Sequence, residues 1–480
     1  MLFDQFHDIL GGCSIREAYE DARLSHGESM AIADREQNFA MQQIGWNINT
    51  VMGDIGDHVP AEEAEKMGLP IVVFNPHAYP VTAPVRVVSR DFGRANFSYV
   101  TAPDGRRLPV QQVRSSRTNH NDRYDNLFLA TVPALGYAVY RGHTAPLEPE
   151  RSQNSLTVGE NFVTNGRVRL TFAPNGELCS FYDEEKGREL LAAPTRLRLC
   201  NDERSDTWAH GLESYTEEAP LTVKGSFRIT EQGPVRAVVR VEQSFGSSRI
   251  IRDYTLCAGE RCVTVAAKVD YHEKFGVLKL CFPAADAAAC YAKIAFGHIE
   301  RPTDGSEQVC GDWITLGRLA VANDSKHSFD ARDNELSLTV LRSALFADHY
   351  GVRDEYCEFM EQGEQRFSYS LAPFEGFSAA ERQAALLQIP LPAYVETFHR
   401  GTLPTTFEGI RLSAENVTVT AIKAHVAGQG IVLRCFENEG LDTEVEGDLL
   451  GTAFRFFIGH NAVKTLWLCD GRVTETDFIE

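Results

Sequence analysis

The chain has 480 residues and a mass of 53.4 kDa, enough for about three or four domains at roughly 100–200 residues each. It is 43% hydrophobic and 24% charged, the balance of a folded protein, which excludes wholesale disorder. Its formal charge of −20 disfavours phosphate backbones and anionic membrane surfaces, so the expected partners include no nucleic acid and no membrane.

The first 50 residues differ in texture from all that follow. Gln5-Phe6-His7-Asp8-Ile9-Leu10-Gly11-Gly12-Cys13 sets a histidine beside an aspartate just ahead of a glycine-bearing turn. Ser14-Ile15-Arg16-Glu17 fits a capping box, with the Ser14 hydroxyl accepting from the third backbone N–H and Glu17 reaching back. Apolar residues at Ile15, Ala18, Tyr19 and Ala22, then Ala33, Phe39, Ala40 and Ile44, mostly at helical spacing, predict one long helix from about Ser14 to Ile44. A lone amphipathic helix cannot bury its own stripe, so it must pack on the β part of the chain or on something outside it.

After Gly53, Pro60 and the acidic Glu62-Glu63-Ala64-Glu65 read as a linker. Pro70-Ile71-Val72-Val73-Phe74-Asn75 then opens a series of strand-like runs, among them Val85–Val88, Phe128–Val132, Val168–Phe172, Val235–Val241 and Val263–Val269. Turn pairs such as Asp104-Gly105, Asn165-Gly166, Asn175-Gly176 and Asp304-Gly305 separate them. Short strands with such turns predict β-sandwiches rather than βαβ units. The expected organisation is a helical segment over 1–52, a β-sandwich over 68–148, a large β block over 153–390 and a last β-sandwich over 391–480.

Several chemistries lack their signatures: there is no GxxxxGK[ST] phosphate loop, no GxSxG elbow and no HExxH. His120-Asn121-Asp122 has the spacing of a ligand pair but reads as an exposed polar turn. The 11 cysteines are scattered from Cys13 to Cys469 with no CxxC, which points to a reducing compartment. No basic, apolar leader and no apolar stretch near the roughly 20 residues of a membrane span stand out, so the chain is expected to be soluble and cytoplasmic. In Asp206-Thr207-Trp208-Ala209-His210-Gly211, with Tyr215 close behind, a rare Trp lies beside polar groups suited to the C–H face and hydroxyls of a sugar. Trp208, His210 and Tyr215 are therefore candidate substrate contacts, against the plainer reading of a Trp packing a strand end. Glu300–Arg301 reads as a structural ion pair, and Trp313 and Trp467 as core.

Gln5-Phe6-His7-Asp8-Ile9-Leu10-x-Gly12-x-Ser14-Ile15 resembles the QFHDxLPGSSI motif of glycoside hydrolase family 38 α-mannosidases. Val72-Val73-Phe74-Asn75-Pro76, Val132-Pro133-Ala134-Leu135-Gly136-Tyr137, Glu160-Asn161, Asn175-Gly176-Glu177-Leu178, Gly233-Pro234-Val235-Arg236-Ala237, Leu278-Lys279-Leu280-x-Phe282-Pro283 and Leu341-Arg342-Ser343 follow in family order. The resemblance implies a mainly β chain. Its long N-terminal helix would be the remnant of a three-helix bundle, followed by a β-sandwich, a large galactose-mutarotase-like supersandwich and a C-terminal β-sandwich. It implies a zinc-dependent retaining α-mannosidase, with His7 as one zinc ligand and Asp8 on a sugar hydroxyl. The nucleophile and general acid of the family belong to an N-terminal α/β domain, so no catalytic residue is expected in this chain and an N-terminal catalytic chain or domain is an expected partner. Two positions depart from the motif: Gly11 stands for its Pro and Cys13 for its first Ser. Cys13 reads as a buried thiol, with competition for the metal as the alternative.

Two other readings remain open at this level. One is a non-catalytic carbohydrate-binding or scaffolding β protein. The other is an independent hydrolase with paired carboxylates in the β part, for which no spacing singles out a pair. The exposed helix stripe also predicts self-association of the isolated chain.

Overall fold

A computed structural model describes residues 2–53, 59–88, 96–117, 124–144, 156–286, 289–349 and 351–478, and the His120–Asp122 turn lies outside the described residues. The protein is mainly β, as its strand-and-turn alternation predicts. One helix dominates the N-terminus, spanning Arg16–Gly45. No helix among the described residues is long and apolar enough to cross a membrane.

The capping box does not form. Ile15 occupies the N-cap with no side-chain cap bond. The Ser14 backbone N–H instead donates to the Tyr19 hydroxyl at 2.9 Å, and that hydroxyl donates to the Asp8 carbonyl at 3.3 Å. One tyrosine, a turn into the helix, therefore takes the Ser14 N–H that the sequence assigns to Glu17. The predicted linker is also structured: Ala61–Met67 is a two-turn helix, with Lys66 Nζ on Glu63 Oε1 at 2.8 Å.

The first sheet runs Ala393–Val395, Leu69–Asn75, Gly136–His143, Tyr99–Thr101 and Arg107–Pro109, with Thr406–Phe407 also paired to Gly136–His143. It thus joins residues that the sequence divides between two segments. Alternation sends Ile71, Val73 and Tyr140 inward, against Val85 and Phe128 of the facing three-stranded sheet. The outward face carries Val72, Phe74 and Tyr137, which close over Ile48, Met41 and Leu403. This second layer seats the C-terminal end of the long helix.

The middle of the chain is a nine-stranded antiparallel sheet facing two five-stranded sheets. Four of its strands form a meander, from Lys224–Gln232 through Arg236–Phe245 and Ser248–Cys257 to Val263–Tyr271. Phe172, Tyr254, Phe282 and Tyr369 fill the space between the sheets, and large apolar side chains contribute roughly 1.5–3 kcal/mol each when fully buried. A four-stranded and a three-stranded sheet pack around Leu433, Val445 and Ile458 at the C-terminal end.

Trp313 is buried, its indole N–H on Glu381 at 2.9 Å. Trp467 is not a core residue: it is half-exposed, stacks on His425 and donates to the Gln429 carbonyl at 2.9 Å. Glu300 and Arg301 occupy successive positions of the strand Gly297–Arg301, whose side chains alternate between faces, so they make no ion pair among the described residues.

The long helix is held at both ends and, at Ser25, by the N-terminal turn, where the Ser25 hydroxyl donates to Asp4 Oδ2 at 2.9 Å. At its start Arg16 pairs with Glu358 at 2.5 Å, and Tyr19 packs on Phe346 with ring centroids 5.9 Å apart. Past its end, Thr50 donates to the Thr397 carbonyl at 2.8 Å, and the Tyr394 hydroxyl donates to the Met41 carbonyl at 3.2 Å. Between these anchors Leu24 and Phe39 are 74% and 58% exposed. Two glycines in this helix sit in opposite surroundings. A Cβ at Gly27 meets nothing within 4 Å, whereas one at Gly45 would lie 1.8 Å from the Tyr394 hydroxyl. Gly27→Ala should stabilise by roughly 1 kcal/mol through helix propensity. Gly45→Ala should destabilise despite the same propensity gain, because Tyr394 must leave its place. Chemical denaturation of the two variants checks the opposite signs.

Candidate functional site

The strand Glu335–Arg342 ends on a guanidinium that organises a loop. Arg342 Nε donates to Asp202 Oδ2 at 2.9 Å, Nη1 to the Thr207 carbonyl at 2.7 Å, and Nη2 to the Asp206 carbonyl at 2.8 Å and the Ser205 hydroxyl at 3.1 Å. Thr207 then joins this loop to the next. Its N–H donates to the Asp348 carbonyl at 3.0 Å, and its hydroxyl accepts from the Asp348 N–H at 2.9 Å. Loops 202–212 and 344–349 are thereby one unit.

That unit presents Asp206, Trp208, His210 and His349. Both oxygens of the buried Asp206 carboxylate are engaged: Oδ1 accepts from the His210 N–H at 3.1 Å, and Oδ2 lies 2.7 Å from His210 Nδ1 and 3.4 Å from His349 Nδ1. Burial opposes ionisation of Asp206, but bonds from the His210 side chain and backbone and from His349 outweigh it and hold the carboxyl below its usual range. The two imidazoles lie 5.2 Å apart, and Trp208, 43% exposed, packs near both at 6.2 and 6.3 Å.

The N-terminal motif approaches from the other side. His7–Leu10 is a single helical turn, and Gly12, at φ 77°, reverses the chain in a conformation that favours glycine. Cys13 is buried beneath the turn, with its thiol 3.5 Å from the Asp8 carbonyl. Burial, with the Asp8 charge behind it, pushes that thiol up. Asp8, Ile15, Trp208, His210 and His349 line one cavity of about 460 Å³.

The structure therefore brings together Asp8, Trp208 and His210, as the sequence reading groups them, and separates Tyr215 from them. Tyr215 lines a different cavity with Arg196 and Arg198, its ring 5.4 Å from the ammonium of fully buried Lys279. It lies past the turn at Gly211, where the chain leaves the Trp208 cavity to run beside Asn201 and Cys200. His7 is beside Asp8, 3.6 Å from Oδ1, but its side chain is 73% exposed. The sequence reading missed His349 and the role of Asp206. The Asp206-x-x-x-His210 spacing was a local signal for the second; nothing local marks His349, which reaches the site through the pairing of two distant loops.

Residues 163–350 match the family model described as the glycosyl hydrolases family 38 C-terminal domain. Alpha-mannosidase 2C1 of Homo sapiens is 27% identical over 353 residues, 66% of this chain and 32% of that protein. Alpha-mannosidase G of Dictyostelium discoideum is 22% identical over 499 residues, 92% of this chain and 42% of that protein. The chain thus spans a third to two fifths of the length of these relatives. In fold it is similar to a family 38 glycosyl hydrolase from Enterococcus faecalis, with TM-score 0.74 and 16% identity over 96% of this chain and 64% of that one. It is also similar to an α-mannosidase from Enterococcus faecalis V583, with TM-score 0.71 and 16% identity over 95% and 61%. Over residues 163–350 the chain is thus similar to the C-terminal domain of family 38 glycosyl hydrolases.

Replacing Arg342 tests how the site is held. Arg342→Ala takes the arginine partner from Oδ2 of the buried Asp202 carboxylate, a loss of about 1–3 kcal/mol. Deuterium uptake should rise first at residues 203–210, with the long meander of the large sheet unchanged.

Proposed function

We propose that this chain supplies the β domains and one edge of the sugar site of a zinc-dependent retaining α-mannosidase, whose nucleophile and general acid are carried by an α/β catalytic domain outside the 480 residues. The observation that carries this reading is the convergence, on one cavity, of Asp8 from the N-terminal motif and Trp208 from the family 38 domain. An exposed indole face takes the apolar face of a hexose, while Asp8 accepts from a hydroxyl and His210 offers a polar ring edge. A retaining glycosidase needs two carboxyl groups about 5–5.5 Å apart across the glycosidic bond, and these belong to the partner domain.

Zinc is implied by the family, and His7 fits it as one ligand: an exposed imidazole next in sequence to Asp8, whose carboxylate lies 3.6 Å away. A catalytic zinc typically has three protein ligands and an open position, so His7 and its neighbour do not complete a site alone. Bound there, zinc would polarise and orient sugar hydroxyls. The exposed Leu24, Met30, Ile32 and Phe39 of the long helix form the surface that the proposed catalytic partner would cover.

Mixing the chain with a family 38 catalytic domain should restore cleavage of an aryl α-mannoside. In that assembly His7→Ala should lower activity by more than roughly 100-fold, beyond what a supporting contact costs. Asp8→Asn should keep the metal and lower kcat/KM roughly 10- to 100-fold, the worth of one charge-assisted hydrogen bond. Full activity in the His7→Ala assembly would end the assignment. Mannoside binding by the chain alone, with no activity in any assembly, would favour the carbohydrate-binding reading. The chain alone should also self-associate through the helix, and sedimentation should show the larger species shift to monomer in Leu24→Glu/Phe39→Glu.

A further inference from the structure

We propose that Asp206, His210 and His349 form a second metal site, for a divalent transition ion such as zinc or cobalt, built entirely within this chain and not using His7. One ligand atom from each of the three residues falls within 4.8 Å of the others. Bonds of about 2.0–2.2 Å from nitrogen and oxygen place neighbouring ligand atoms roughly 3–3.5 Å apart. The separations from Asp206 Oδ2 to the two Nδ1 atoms are 2.7 and 3.4 Å, and side-chain shifts that also draw the two imidazoles together bring all three ligand atoms to that spacing. Two imidazoles and one carboxylate suit zinc, cobalt or iron rather than calcium or magnesium.

The carboxylate is pre-positioned as a ligand should be. Asp206 is buried, its Oδ1 is tied to the His210 backbone, and its carbonyl is held by Arg342. Such supporting bonds fix ligand orientation. The two imidazoles are about half exposed and face the cavity that also holds Asp8 and Trp208. Three protein ligands leave open positions on the cavity side. The ligand class that fits them is a vicinal diol of a sugar, whose hydroxyls would bind the ion while Trp208 covers the ring. With the ion in place, the polar contact otherwise made by His210 passes to the metal. The alternative is a hydrogen-bonded His–Asp–His cluster with no ion.

Cobalt(II) binding to the full chain separates the two, because cobalt reports its ligands by visible absorption. The expected result is one equivalent per chain with a raised melting temperature, affinity at least roughly 100-fold weaker in His349→Ala and in His210→Ala, and no change in His7→Ala. His349 and His210 are both exposed enough for these variants to fold, which circular dichroism verifies. His349→Gln provides a second variant of closer shape, with the same loss expected. The proposal is overturned if the wild-type chain binds no cobalt, if binding survives both histidine variants, or if it is lost only in His7→Ala. That last outcome would assign the ion to the N-terminal motif.

Discussion

The guanidinium of Arg342 is the constraint on which the rest of the site depends. It gathers a side-chain carboxylate, a hydroxyl and two backbone carbonyls from residues 202–207, groups that would otherwise face desolvation without partners. An ammonium is a compact point charge, whereas a planar guanidinium offers five donors in fixed directions, so four acceptors in a fan specify arginine. The loop that it fixes is fastened by Thr207 to the loop bearing His349, and the start of the long helix lands on the same region through Glu358 and Phe346. Three stretches remote in sequence thus share one rigid support. The large β core supplies that support by fixing the end of the strand from which Arg342 projects.

The long helix and the β body stand in an unequal relation. Its anchoring contacts lie in its first turns and around its end, so the body fixes its position but covers little of its length. Helices in globular proteins owe most of their stability to a packed face. A helix of 30 residues with an uncovered middle therefore draws on its two ends, on propensity, and on whatever further surface meets it.

The mainly β character, the long helix and the His7–Asp8 turn were legible in the sequence because each has a local signature. Periodicity marks the helix, turn dipeptides mark the strands, and a motif of short range marks the histidine and aspartate. What escaped was decided by contacts without local signatures. Tyr19 displaced the capping box because its hydroxyl reaches both the Ser14 amide and the Asp8 carbonyl. Tyr215 follows the Trp208 segment in sequence, yet the turn at Gly211 carries it to another cavity, under the ammonium of Lys279. His349 joined the site only because Thr207 binds Asp348, a pairing of loops that no spacing rule reports.

The late return of the chain to its first sheet has a consequence for how the protein is made. Leu69–Asn75 pairs with Ala393–Val395, and Thr50 and Ile48 find their partners at 397–403. During synthesis at about 5–20 residues per second, these N-terminal groups wait for most of the chain to emerge before their last hydrogen bonds can close. The middle meander, whose strands pair with their immediate neighbours, has no such delay. Ordering should therefore spread outward from the centre of the sequence, and the long helix should be among the last of these elements to be seated.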